Sequence, residues 1–464
     1  MRGLAYRKEA LDPLYGYIYL TELEVRLIDT PIFQRLDRLL QNFSAHYAFP
    51  SATHTRKAHA LGVMSLAHRA LAKLLFRLRP HHGAALLFVP TTLEERGPGL
   101  EDYYVEGFDW WNERLERGRF SELLQAMRLA ALLHDVGHAP LSHVFEEACR
   151  ALGLDFDHEK RSLELMERLG EGLRGRAGEV MRGALELFRR VVEPGHRSYV
   201  KELLSGPMDV DKIDYLNRDG YHSGALEYGL IDQERILDSF YVKQGQLVFL
   251  SSNLPSVLRA FASAEQMYRN VFYHKTSRNV DLMCVEMLRA ARPVVERLLA
   301  SREPFEGYGD YELLRELARA DLPRASELAQ GLLSRRLYFK ALYQAPVPRD
   351  RFTEELRRAL AELEQRYSEL QARIDHVEAR PIRQEYGALS SWLRAPKVYL
   401  PEEDRLLSLR EAQPLLEELA LRFSVDVRVF VARRLAKHPR AEALVREARA
   451  LLGPGAPPAP PPYR

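Results

Sequence analysis

The most informative part of this 464-residue sequence is LLHDVGHAPLSHVFEE, residues 132–147. The preceding run, SELLQAMRLAALL, spaces its apolar residues three and four apart, which predicts an amphipathic helix over 119–134. His134 and Asp135 close that helix. They offer one nitrogen and one oxygen donor from adjacent positions, where unpaired carbonyls at a helix C-terminus favour a cation. Imidazole with carboxylate suits a hard or borderline divalent ion such as Mn, Mg, Fe, Ni or Zn. Pro140 is a good first-turn residue, so a further helix is expected from there to Gly153.

A His-Asp pair alone is weak, and its weight comes from the surroundings. Upstream, FPSATHTRKAHALGV (49–63) places His59 on a helix expected over 58–79, with Arg56 one turn earlier and facing the same cavity. Downstream, MDVDKIDYLNRDGYH (208–222) puts Asp211, Tyr215, Asp219 and His222 on one helical face. Met208, Ile213 and Leu216 give no clean core stripe opposite it, which favours a functional face over a solvated one. Four histidines, His134, His138, His143 and His158, fall within 25 residues. His143 and Glu146 are helical neighbours, and a carboxylate beside an imidazole orients it and raises its pKa towards the range of a proton donor.

Helices are also expected over 160–170, 178–192, 209–219, 233–240, 255–301 with breaks, and 311–320. Strand signals are few. One short hairpin is expected in FYVKQGQLVFL (240–250), about Gln244-Gly245. The fold class is therefore expected to be all-α, with at most a short β-hairpin. Residues 80–118 carry Pro, Gly and aromatics and read as an insertion, either a binding loop or a packed excursion. Residues 351–380 are charged, free of Gly and, until Arg380, of Pro, with Leu at helical spacing; one long helix is expected, paired within the chain or with a partner. Pro-rich residues 453–464 are expected to be a disordered tail. The division expected is a catalytic domain over 1–325, a helical region over 326–452, and that tail.

Net charge is +2, which argues against a dedicated nucleic-acid binder. Cys149 and Cys284 sit inside apolar patterns and are expected to be buried thiols. The start of the chain lacks the apolar run of a signal peptide, and no stretch is long and apolar enough to span a bilayer; a soluble, cytoplasmic protein is expected.

Six blocks in order, IDTPIFQRLDRLLQ, FPSATHTRKAHALGV, LLHDVGHAPLSHVFE, DHEKRS, MDVDKIDYLNRDGYHSG and YRNVFYHKTSR, resemble the HD superfamily of metal-dependent phosphohydrolases. More narrowly they resemble the deoxynucleoside triphosphate triphosphohydrolases, from about Asp12 to Met287. That resemblance implies an HD-domain helical core and one divalent ion held by His59, His134, Asp135 and Asp211. It implies His143 as the leaving-group acid supported by Glu146, with His138 and His158 beside the phosphates. Arg56, Lys212, His274 and Lys275 become phosphate clamps, with Arg269 and Arg278 nearby. Tyr215, Asp219 and Gln41 match residues around the sugar, and Tyr47 and Tyr221 match the base pocket. The implied reaction releases triphosphate and a deoxynucleoside, and a homo-oligomer is expected.

The sequence departs from the family in three places. Asp29 and Gln34 match a guanine-nucleotide activator site, but Asp37 stands where its Arg should be. Asn42 replaces a Leu beside the sugar, and Ala264 replaces a third phosphate-binding Arg. A nucleotide activator therefore stays open. So do two alternatives: action on another nucleotide (a ribonucleotide, a monophosphate or a cyclic dinucleotide), and a non-catalytic nucleotide-binding regulator.

Overall fold

Six helices carry or support the expected site: α1 (Arg56–Arg77), α2 (Phe120–Leu133), α3 (His143–Leu152), α4 (His158–Gly170), α5 (Val210–Ser223) and α6 (Lys275–Ala290). The computed structural model describes residues 6–77, 100–193, 195, 197–300, 307–348, 351–378, 397–413 and 424–452. Helix α1 packs on both α2 and α5, which sets His59 against the ends of the other two. Small residues allow the approach: Ala60, Ala67, Ala126 and Ala130 are completely buried. The surrounding core holds Met64, Leu71, Met127 and Leu133, each such side chain contributing about 1.5–3 kcal/mol when fully buried. Met208, Ile213 and Leu216 are completely buried. Ile213 and Leu216 form a core side of α5, with Met208 just ahead of the helix, where no clean core stripe is expected from the sequence.

A second core joins α3 to α6 through Phe145, Cys149, Met283, Cys284 and Met287, and extends to Leu313, Leu317, Leu328 and Leu332. Both cysteines are free and buried. The boundary expected at 325/326 falls inside the helix Pro323–Leu333, which belongs to this second core.

The expectation of an all-α protein with at most one hairpin understates the strands. β1 (Tyr6–Asp12) and β2 (Gly16–Thr21) form an antiparallel pair. The expected hairpin is present as β3 (Phe240–Lys243) and β4 (Gln246–Leu250). Gln244 and Gly245 between them have φ of +54° and +70°, the backbone of a tight primed turn. β5 (Phe339–Pro348), β6 (Arg373–Glu378), β7 (Lys397–Leu400), β8 (Arg405–Ser408) and β9 (Ser424–Ala432) complete two further sheets, ordered β3-β4-β7-β8 and β5-β9-β6. Alternation along β9 sends Val425, Val427, Val429 and Val431 into a third core under Leu360, Leu363, Leu444 and Leu452. Phe430, on the opposite face, joins the second core.

Two helix predictions are corrected. The helix expected over 351–380 is Glu354–Arg366 only; Gln371 then adopts φ +49° and the chain enters β6. Strand pairing with β9 captures this backbone, and Arg278 holds Asp375 with a two-pronged hydrogen bond of 2.8 and 3.1 Å. The helix expected from Pro140 starts at His143, because Leu141 and Ser142 have φ of +65° and +53°. Buried Asp310 accepts the Leu141 N–H at 2.7 Å, which holds that strained turn.

Within the expected insertion, residues 80–99 lie outside the described residues, as does the tail 453–464. Residues 102–118 include buried anchors: Trp111 is fully buried and its indole N–H donates to the Tyr199 hydroxyl at 2.7 Å. Among the described residues no helix is long and apolar enough to cross a membrane.

Candidate active site

Two helix starts and one helix end bring four donors together. His59 comes from the first turn of α1, His134 caps α2 with Asp135 beside it, and Asp211 opens α5. His59 Nε2 lies 3.1 Å from Asp211 Oδ1 and 3.9 Å from Asp135 Oδ2. His134 Nε2 lies 3.2 Å from Asp135 Oδ1 and 4.0 Å from Asp211 Oδ1. His134 Nδ1 donates to the Ala131 carbonyl at 2.7 Å. That fixes the proton on Nδ1 and leaves Nε2 bare. His134 Nε2 is buried and has no hydrogen-bond partner among the described residues.

An orphaned imidazole nitrogen facing two carboxylates fits a divalent cation. The potential points the same way. Burial would push the His59 pKa down, yet hydrogen bonds to Asp211 and Asp214 raise it to about 10. Burial opposes the charge on Asp211, but the His59 contact still holds that carboxylate well below its usual range. The cage thus stabilises positive charge at its centre, and its mixed N/O donors suit several divalent ions.

Several residues that sequence reasoning missed build this cage. Asp214 accepts from His59 Nδ1 at 2.7 Å and twice from Arg218, at 2.9 and 3.0 Å. Arg218 also donates to Asp12 at 2.9 Å. The Asp214 carboxylate fixes the His59 ring so that Nε2 faces the cage. Gly62 makes room for it, since a Cβ there would stand 1.9 Å from Asp214 Oδ1. Arg35, 1% exposed, donates to the Val136 and His138 carbonyls, both at 2.6 Å, and holds the turn after Asp135. The signal for Asp214 was its place three residues after Asp211 and four before Arg218.

Arg56 is buried, ion-paired to Asp135, and donates through Nε to Ser142 Oγ at 2.8 Å. Next to the cage stand His138, His143 and His158. Glu146 accepts from His143 Nδ1 at 3.2 Å and from His158 Nδ1 at 2.5 Å. Burial opposes the Glu146 charge, but the two histidines hold its carboxyl far below the usual range. Burial would lower His158, and Glu146 raises it above the ordinary imidazole value. His138 is driven well down by burial and by Arg56.

The remaining expected residues are more scattered. Asp219 accepts from Asn42 at 2.8 Å and pairs with His54 at 2.5 Å, with His54 stacked on His222. Gln41 Oε1 is buried without a partner among the described residues. Tyr215 meets Phe272 edge-on, and burial raises its hydroxyl. Lys212 points into its own helix start, bonded to Asp209 at 2.7 Å and to the Gly206 carbonyl at 3.0 Å. His274 caps α6 by accepting from Thr276 N, and Lys275 is exposed. Arg278 is taken up by Asp281 and Asp375, and Arg269 by Glu265.

Comparisons with known proteins place the chain beside HD-domain proteins. The HD domain profile matches residues 109–219, and the HD associated region matches residues 231–382. The chain carries an HD domain and resembles the HD-domain phosphohydrolases. Among these it resembles the deoxynucleoside triphosphate triphosphohydrolases. The SAMHD1 homolog of Dictyostelium discoideum, named for that activity, is 24% identical over 339 residues, 70% of this chain and 58% of its own length. An uncharacterised protein of Bacillus subtilis is 29% identical over 316 residues, 67% of this chain and 62% of its own length. The chain thus spans about six tenths of either relative. The crystal structure of a phosphohydrolase from Bacteroides thetaiotaomicron shares the fold, with a TM-score of 0.65 at 22% identity, covering 92% of this chain and 100% of that one.

Proposed function

We propose that this protein hydrolyses deoxynucleoside triphosphates to deoxynucleoside and triphosphate. The observation that carries the reading is the orphaned His134 Nε2, converging with His59, Asp135 and Asp211 beside a Glu146-bridged pair of histidines. These four residues would hold one divalent ion. When bound, that ion supplies polarisation of a phosphoryl oxygen and a more acidic coordinated water.

The chain's own groups supply the rest. His143, 70% exposed in its side chain, offers a proton at Nε2 to the departing 5′-oxygen, because Glu146 occupies its Nδ1. His158 shares Glu146 and keeps a positive charge near the phosphates. His138, kept neutral, packs between them and Asp135. Arg56 holds Asp135 in position. His274 and Lys275 meet the polyphosphate, while Gln41, Tyr215 and Asp219 take the sugar. Lys212 secures the start of α5 in this reading. The partners are a nucleotide substrate and further copies of the chain, with a nucleotide activator left open by Asp37; the setting is the cytoplasmic nucleotide pool.

One observation favours a different nucleotide: Asn42, polar where the family has a Leu beside the sugar, donates to Asp219 at 2.8 Å and offers a polar neighbour to a ribose 2′-hydroxyl. Incubation with each dNTP and NTP, singly and mixed, with Mn or Mg, followed by chromatography, separates the readings. Tripolyphosphate and deoxynucleoside support the proposal. Orthophosphate or pyrophosphate as the phosphorus product refutes it, and turnover confined to NTPs favours the second reading. Turnover only in mixtures reports an activator.

A further inference from the structure

Asp310 opens the helix Asp310–Arg319, in the stretch matched by the HD associated region and outside the HD domain match. Its side chain is completely buried and accepts two backbone hydrogen bonds, one on each oxygen. Oδ2 takes the Leu40 N–H at 2.8 Å, and Oδ1 takes the Leu141 N–H at 2.7 Å. Gly309 permits this approach, since a Cβ there would stand 2.5 Å from the Arg38 carbonyl oxygen. Burial raises the Asp310 carboxyl to about 6, against the pull of the two N–H groups and of Arg56.

The two bonds lead to opposite ends of the candidate site. Leu40 precedes Gln41 and Asn42. The Gln41 N–H donates to the His54 carbonyl at 3.0 Å, and Asn42 donates to Asp219 at 2.8 Å. Leu141 precedes Ser142, whose hydroxyl accepts from Arg56 at 2.8 Å, and His143, which begins α3. Leu141 and Ser142 hold φ of +65° and +53°. Such a conformation persists in non-glycine residues only where the surroundings enforce it.

We propose that Asp310 is a positioning residue that fixes the spacing between the sugar-reading segment Gln41–Asn42 and the proton donor His143. It touches no substrate. One carboxylate clamps both segments, so a nucleotide seated by its 3′-hydroxyl presents its 5′-oxygen at a set distance from His143. The inference rests on the sugar and acid roles proposed above. The 3′-hydroxyl is common to ribose and deoxyribose, so it holds for either sugar.

Asp310→Asn keeps the volume but offers one oxygen, so one backbone N–H meets the amide N–H₂ and its segment is released. The full chain with Mn(II) is titrated calorimetrically with uncleavable α,β-imido dATP and with its 2′,3′-dideoxy counterpart, and kcat is measured on the nucleotide the parent cleaves best. The parent should prefer the analogue that carries the 3′-hydroxyl. In Asp310→Asn that preference should shrink about fivefold, the worth of one hydrogen bond, and kcat should fall about 100-fold through misplacement. Gly309→Ala keeps the carboxylate but displaces it, and should move both quantities the same way. A mere loss of folded molecules lowers the apparent kcat of every substrate alike and leaves the affinity preference untouched. A preference that is absent in the parent, or that stays within about twofold of the parent's in both variants, overturns the proposal. A parent that shows the preference but turns over no nucleotide refutes the hydrolytic reading instead, and the shift in preference still decides the role of Asp310.

Discussion

Replacing Asp214 with Asn changes one atom in a carboxylate that touches no substrate, and it should still weaken the metal centre. The carboxylate accepts three hydrogen bonds, one from His59 Nδ1 and two from Arg218. An amide has a single oxygen. If that oxygen faces Arg218, the amide N–H₂ opposes His59 Nδ1–H, and the ring must move its proton to Nε2, the atom that faces the cage. If the oxygen faces His59, the amide opposes the guanidinium. Either arrangement leaves a buried donor against a donor, costing about 1–3 kcal/mol of stability. Losing the carboxylate behind a ligating histidine typically costs about 10–100-fold in metal affinity, or roughly 1.4–2.7 kcal/mol. Asp12 keeps one bond to Arg218, so the variant should fold. Urea unfolding would give the stability loss, and Mn(II) competition titration on folded protein would give the affinity. An affinity within about threefold of the parent would refute the idea that Asp214 sets the His59 tautomer.

Further outcomes follow from the same contacts. Gly62→Ala puts a methyl within 1.9 Å of Asp214 Oδ1 and 2.4 Å of Arg218 Nη2; both partners are locked in the core. Metal affinity and thermal stability should therefore fall together, whereas a change in neither would show that the pair has room to shift. Arg278→Ala strands the buried Asp281 and Asp375 carboxylates, and denaturant unfolding should show a loss of about 3–5 kcal/mol. Glu202 is buried, with burial raising its carboxyl to about 7 from 4.5. The folded state prefers the protonated acid, so its stabilisation is full below pH 4.5 and is lost as pH rises to about 7. The shift corresponds to roughly 3 kcal/mol. Glu202→Gln keeps an oxygen for the Leu247 N–H and should flatten that part of the stability–pH curve; an unchanged slope would contradict it.

Legibility in the sequence followed the range of the forces. His134 and Asp135 could be read because helix period and donor chemistry are both local. Helices α1, α2, α4 and α5 fell near their predicted spans for the same reason. Asp214 could not be told from Asp211 by residue type, because what separates them is which partner each meets across the core. Arg278 reads only as a cation near the phosphate clamps, because its partner Asp375 lies 97 positions away. The strands were missed for different reasons. β9 alternates openly in SVDVRVFVA, a strand signal that the expectation of a helical region over 326–452 passed over. β5 contains Pro346 and Pro348, which suit its edge position beside β9 but hide it in the sequence. β6 follows a charged helical run without any break residue, and only pairing with β9 explains its extended backbone.

The identity of the metal cage can be tested most directly by anomalous diffraction from crystals grown with Mn(II). A peak is expected within about 2.0–2.2 Å of His59 Nε2, His134 Nε2 and one oxygen each of Asp135 and Asp211, and it should vanish in His134→Ala/Asp135→Ala. A map with no peak among these four residues, or a peak that survives the double substitution, would contradict the metal centre on which the hydrolytic reading stands.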